Sequence, residues 1–139
     1  MDIAETKPPS SCTAGPDIDR YGSLVSLLQE ALTTYAERTA LVSLGAQLTY
    51  GDLDRQSTAF AAWLQSLGLS AGARVAVMLP NMLASPVTLI GTLKAGCVAV
   101  NVNPLYTAEE MAKQFEDAEP HALIIIDMQT DFCGKGGYV

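Results

Sequence analysis

The stretch RVAVMLPNMLASPVTLIGTLKAGCVAVNV, residues 74–102, decides the fold. RVAVML is a short, unbroken apolar run closed by Pro80-Asn81, the signature of a strand buried on both faces. A helix follows, capped at Asn81 or at Ser85 with Pro86 in its first position, and stops at Gly96 after Ala95. CVAVNV is a second buried strand, stopped by Asn103-Pro104. Two such strands joined through a helix make a parallel βαβ unit with a right-handed crossover.

The same rhythm extends in both directions. Downstream, TAEE at 107–110 is a capping box in which the Thr107 hydroxyl and the Glu110 carboxylate satisfy each other's backbone amides. Met111 and Phe115 then face inward, and HALIII at 121–126 is a third strand. Upstream, Thr49 caps a helix whose buried stripe is Leu53, Phe60, Ala61, Leu64 and Leu67, ended by Gly68. ALVSLGAQLTY at 40–50 reads as two short strands turning at Gly45-Ala46. Before it, Leu24, Leu27, Leu28, Ala31, Leu32 and Tyr35 fall at helical spacing behind Ser23 as N-cap. The predicted architecture is α/β: a partial, open, mostly parallel sheet with helices on both faces and a small marginal hairpin. Residues 1–19, rich in Pro, Ser, Thr and Gly, read as a flexible tail.

Composition narrows the functional classes. In 139 residues there is room for one modest domain. Acidic residues outnumber basic ones by 15 to 8, a net charge of −7. That balance argues against nucleic-acid binding, which needs a basic footprint. Cys12, Cys97 and Cys133 are odd in number and widely spaced, so neither a disulfide framework nor a zinc site is expected, and a reducing cytoplasm fits. MDIAETKPPSSC lacks the basic and apolar regions of a secretory signal, and no segment is long and apolar enough to span a bilayer.

Chemistry-bearing motifs are sparse. The P-loop pattern G-x-x-x-x-G-K-[ST] and the dinucleotide pattern G-x-G-x-x-G are both absent. The glycines of GKGGYV, 134–139, read as a turn. His121 stands alone at a strand mouth and reads as a cap or surface residue. Ser10, Ser11, Ser23, Ser26 and the other serines have no paired base, and no G-x-S-x-G elbow occurs. Cys97 reads as a core residue, and Lys94 as a cation at the negative end of a helix dipole. Asn101, Asn103 and Tyr106 lie where a parallel strand reaches its carboxyl end, the place where open sheets bind ligands. They either line a site there or only make the turn.

Several stretches taken together resemble a specific family. LTYGDLDRQSTAFAAWLQSLGLSAGARVAVMLPN and LIGTLKAGCVAVNVNPLYTAEEMAKQFEDAEPHALI resemble the amino-terminal part of AMP-forming acyl-CoA ligases, over residues about 18–124. VNVNPLYT and DRYGSLVSLLQEAL are similar to the long-chain fatty-acid branch. One departure is Ala73, where the family usually carries an acidic residue; the expected cost is a surface charge only. The resemblance implies a two-step reaction in which a fatty carboxylate attacks the α-phosphate of Mg-ATP and coenzyme A then takes the acyl group. The family's later motifs do not occur here: the Ser/Thr/Gly-rich phosphate loop, the aromatic-Gly-Thr-Glu segment, the ribose-binding Asp and the carboxy-terminal Lys. No catalytic, cofactor-binding or metal residue is therefore carried over.

The end of the chain resembles something else. After about Ile125, HALIIIDMQTDFCGKGGYV is similar to the start of isochorismatase-type cysteine hydrolases, where a strand ends in Asp-Met/Val-Gln-x-Asp-Phe. The first Asp of that motif belongs to an Asp, Lys, Cys triad, and the matching position is Asp127; Cys133 is not at the nucleophile's place. The expected organisation is a tail over 1–19, the amino-terminal part of a ligase adenylation domain over 20–125, and a foreign or divergent tail over 126–139. The expected function is that of a fragment of a long-chain fatty-acid–CoA ligase, inactive alone. The alternatives are a truncated isochorismatase-family hydrolase and a non-catalytic interaction fragment. ATP, Mg2+, coenzyme A and fatty acid are implied for the full-length family, with no cofactor expected for this chain. Its expected location is cytoplasmic, with a peripheral inner-membrane position implied by the resemblance. A half sheet also leaves an unpaired edge that invites self-association.

Overall fold

A computed structural model describes residues 18–125. A 3-10 turn, Ile18–Arg20, takes in the last residues assigned above to the tail. It precedes α1 (Leu24–Thr34), β1 (Thr39–Ser43), β2 (Ala46–Thr49), α2 (Tyr50–Ser66), β3 (Arg74–Met78), α3 (Ala84–Lys94), β4 (Val98–Val102), α4 (Ala108–Ala118) and β5 (Ala122–Ile125). The strands form two sheets. β1 and β2 make an antiparallel hairpin, and the main sheet has the order β4-β3-β5 with both pairings parallel.

The alternation of strand and helix drives this arrangement as the apolar pattern requires. β3 is central, and Val75, Ala76 and Val77 are fully buried there. Successive residues point to opposite faces, so only a strand covered on both sides tolerates such a run. From β3 the chain steps outward to β4, then returns past β3 to β5. Right-handed crossovers therefore put α3 on one face and α4 on the other. On the α3 face, Val75, Val77 and Leu79 pack with Leu64 of α2, Ala73 and Cys97. A second cluster, Leu32, Leu53 and Val87, joins α1, α2 and α3, with Leu41 and Leu48 of the hairpin against it.

Three helices begin on side-chain caps legible in the sequence. Ser23, Thr49 and Thr107 each accept the amide of the residue three positions on, and each cap closes as a reciprocal box, with Ser26, Asp52 and Glu110 respectively. At the other ends, Gly68 and Gly96 take positive φ just past α2 and α3.

Other local expectations are corrected. α3 starts at Ala84 with Leu83 in the cap position and no side-chain cap, so neither Asn81 nor Ser85 caps it and Pro86 is its third residue. The hairpin turns at Leu44-Gly45, with positive φ at both, one residue earlier than expected. This is the geometry of a tight two-residue turn, whose twist suits paired strands. Leu67 lies past the buried stripe of α2 and is exposed, whereas Ser57, not counted in the stripe, is fully buried. Ala73 is not a surface position. It is 4% exposed and belongs to the core cluster, so the departure from the family's acidic residue sits inside the fold.

Candidate functional site

The carboxyl end of the sheet is where an open α/β fold offers room for a ligand. Just beyond β3, a shallow cavity of about 240 Å³ lies between the hairpin and the start of α3. Val42, Ser43, Asn81, Met82, Ser85 and Pro86 are among its lining residues. Its polar groups are neutral amide and hydroxyl functions. They can donate and accept hydrogen bonds, but none is an acid, a base or an activated nucleophile.

Asn101, Asn103 and Tyr106 lie at the end of β4 and are exposed. The Asn103 side-chain oxygen accepts the Leu105 amide at 3.0 Å, and its carbonyl accepts the Tyr106 amide at 3.1 Å. That is an Asx-type turn, so Asn103 shapes the loop into α4. The Asn101 carbonyl accepts the side-chain amide of Gln114 from α4. These three residues are not brought together with the cavity beside β3, which they do not line.

His121 sits at the opposite, amino-terminal end of the sheet. Its Nδ1 accepts the Arg74 amide at 3.3 Å, and its own amide donates to the Arg74 carbonyl at 2.7 Å. Arg74 reaches on to Glu119, through Nε to the carbonyl and through Nη2 to the carboxylate, each at 3.1 Å. The cluster fastens the entry of β5 to the entry of β3. Cys97 is buried in the core, as its place beside a strand suggested.

Lys94 does more than face the end of its own helix. Its ammonium lies 2.5 Å from the Asp54 carboxylate and 2.9 Å from the Thr58 hydroxyl, and the side chain is only 9% exposed. The pair ties α3 to α2. Asp54 and Thr58 are four residues apart and flank the buried stripe, a spacing that places them on one helix face. That spacing was the available signal, but it does not say which cation answers it.

Two carboxyls are shifted, both in helix caps. Asp52 is held below the ordinary carboxylate range by the Thr49 amide and then by Arg55, whose Nη2 is 2.6 Å away. Glu110 is lowered by the Thr107 amide and hydroxyl. Stabilising the ionised form in this way builds helix ends. Among the described residues, no three His, Cys, Asp or Glu side chains come together to hold a metal ion. No helix among the described residues is long and apolar enough to cross a membrane. Asp127, Cys12, Cys133 and the glycines of 134–137 lie outside the described residues.

The geometry therefore assigns a scaffold, and comparison with known proteins says which one. The family described as AMP-binding enzyme matches residues 28–135. The chain belongs to the AMP-binding enzyme family. Among its relatives is a long-chain-fatty-acid–CoA ligase of Salmonella typhimurium strain LT2, 48% identical over 119 residues, covering 85% of this chain and 21% of that protein. The chain thus spans about a fifth of the length of the curated relatives it matches. Among solved structures, the N-terminal subdomain of Klebsiella oxytoca NpsA superposes with a TM-score of 0.73 at 25% identity, over 77% of this chain and 28% of that one. VinN in complex with L-aspartate gives 0.72 at 31% identity, over 78% and 31%. The adenylate-forming fold expected from the sequence is the fold observed.

Proposed function

We propose that these residues are the amino-terminal scaffold of an ATP-dependent long-chain fatty-acid–CoA ligase, and that they do not form an acyl-adenylate by themselves. The observation that carries the reading is a contrast. Identity to long-chain fatty-acid ligases is high, yet the matched region contains no phosphate-gripping loop. Adenylation needs donors preorganised around the α-phosphate and its metal. The carboxyl-end cavity offers only neutral amides and hydroxyls. The scaffold's contribution is rigid: three capped helices and a core that holds β3 and the loop after it in place.

In the full-length family, fatty acid, ATP and coenzyme A are the reactants and Mg2+ accompanies ATP, so these are the partners implied for the whole protein. A pyrophosphate-release assay of the 139-residue chain with palmitate and Mg-ATP tests the reading. No release above the protein-free rate is expected; sustained turnover refutes it.

The second reading, a cysteine hydrolase begun at the end of the chain, is favoured by the stretch IDMQTDFC alone, with Asp127 as its candidate acid–base residue. The AMP-binding match runs through this stretch to residue 135. Coding sequence continuing in frame to a lysine and a nucleophilic cysteine would favour the hydrolase. Continuation as ligase would remove it.

A further inference from the structure

We propose that His121 makes the junction of β3 and β5 an acid-sensitive clasp: its neutral ring, protonated at Nε2, holds the entry of β5 to β3, and protonation of Nδ1 releases it. Two bonds join the strand entries. The His121 amide donates to the Arg74 carbonyl at 2.7 Å, and the Arg74 amide donates to His121 Nδ1 at 3.3 Å. The second bond stands where backbone pairing fails. In a parallel ladder, a residue that accepts from one amide donates to the carbonyl two residues earlier on the same neighbouring strand. Two residues before His121 is Glu119. There the chain turns out of the ladder, because Glu119 takes φ +40 and Pro120 follows. The Glu119 carbonyl goes instead to Arg74 Nε at 3.1 Å. The imidazole fills the acceptor position, so a side chain completes the ladder that begins with Val75 and Ala122.

Three observations make this contact sensitive to acid. First, a ring nitrogen accepts only while it is unprotonated, and an imidazolium has donors alone. A backbone carbonyl in the same place would not titrate, whereas imidazole is the side chain whose ordinary charge change falls between pH 5 and 8. Second, His121 is exposed, so protons reach the ring without opening the fold. Third, a proton on the ring sets a second cation beside the Arg74 guanidinium. The Glu119 carboxylate, on the link from α4, already pairs with that guanidinium at 3.1 Å. Glu116 and Asp117 lie upstream in the last turn of α4. Among the described residues no carboxylate forms an ion pair with the imidazole. Acid thus removes an acceptor and adds a like charge, and both changes weaken the clasp. Its bonds all run between residue 74 and residues 119–121, so it does not depend on what lies against the outer edge of β5. Nor does it rest on the ligase reading.

The test uses the whole 139-residue chain labelled with nitrogen-15. His121 is its only histidine, so the ring signals are unambiguous. At pH 8 they should show Nε2 protonated and Nδ1 bare. Amide exchange, corrected for the intrinsic pH dependence of each amide, is then followed from pH 8 to pH 5. Protection of the Arg74 amide should fall roughly two- to tenfold, the loss of one hydrogen bond. Protection of Val77, buried in the middle of β3, should stay level. His121→Asn offers an amide oxygen at the position of Nδ1 that accepts without titrating, and should make Arg74 protection independent of pH. His121→Ala should hold it at the low level throughout. Glu119→Gln should leave the pH response in place, since the response belongs to the ring. A ring protonated at Nδ1 at pH 8 overturns the proposal. So does Arg74 protection that stays level, an equal fall at Val77, the same response in the asparagine variant, or a response that disappears in Glu119→Gln. Where a variant does not fold, the wild-type ring signals and the comparison of Arg74 with Val77 decide.

Discussion

Replacing Gly91 with alanine adds one methyl group where α3 crosses α2. The new Cβ would lie 2.7 Å from the Ser57 carbonyl oxygen, 2.7 Å from Phe60 Cδ1 and 3.1 Å from Phe60 Cβ. A carbon–oxygen contact settles at roughly 3.3 Å or more, so about half an ångström must be found. The Phe60 ring can turn; the Ser57 carbonyl belongs to the backbone of α2 and cannot. The helices must part, and α2 carries Leu64 into the central core. Forcing a methyl group into a packed contact costs about 1–3 kcal/mol, and the clash with the backbone carbonyl of Ser57 puts this one in the upper part, about 2–3 kcal/mol. Alanine in place of a helical glycine returns about 1 kcal/mol. The net expectation is a loss of about 1–2 kcal/mol, which for a domain of this size lowers Tm by roughly 4–15 °C. Helix propensity alone predicts the opposite sign, so the experiment discriminates. Urea unfolding followed by circular dichroism reads it, and a Gly91→Ala chain as stable as wild type would refute the close crossing.

Asp54→Ala strands the Lys94 ammonium in its nearly closed position and should cost about 2–3 kcal/mol, while Lys94→Met leaves a carboxylate that water reaches and should cost about 1 kcal/mol. Equal losses in urea titrations would contradict the asymmetry. Leu44 takes φ +49 at the hairpin turn, where a leucine is strained, so Leu44→Asn should raise stability by about 1 kcal/mol, and a lower Tm would count against the turn geometry. Asp52 and Glu110 are both held below the ordinary carboxylate range. Their contribution is therefore complete above about pH 4–5 and is lost as pH falls through the lowered folded values. Urea midpoints measured from neutral to strongly acid solution should fall in that window, and Asp52→Asn with Glu110→Gln should flatten the curve; an unchanged curve would remove the caps from the account.

The elements were legible because local rules and the fold agree at particular residues. Ser23, Thr49 and Thr107 announce helix starts because a hydroxyl three residues before an orphan amide has one obvious use. The apolar runs at 75–77 and 122–125 both announce strands, but only the first is covered on both faces; β5 leaves Leu123 and Ile125 exposed. What stayed hidden depends on contacts between distant segments. Ser57 is polar by type, yet its hydroxyl bonds the Asp54 carbonyl and leaves the residue small enough for α3 to approach at Gly91. Thr88 and Thr92 are buried for a related reason, their hydroxyls turned back onto carbonyls of their own helix. Ala73 looked like surface because one sequence shows a small residue beside a strand and not what covers it. The Lys94–Asp54 pair joins positions forty apart, and no local pattern matches a cation to its anion. The uncapped start of α3 escaped because Asn81 and Ser85 are both able caps and the chain uses neither. For the site, the missing phosphate loop was legible in the sequence. The neutral cavity beside β3 was not, since the hairpin and the start of α3 build it jointly.

Residues 18–125 are proposed to form a ligase scaffold that does not hold the nucleotide. Photolabelling of the 139-residue chain with an azido-ATP probe, with and without Mg2+ and palmitate, tests this most directly. The account predicts weak incorporation that neither saturates nor responds to magnesium. Saturable, magnesium-dependent labelling that palmitate alters would contradict it.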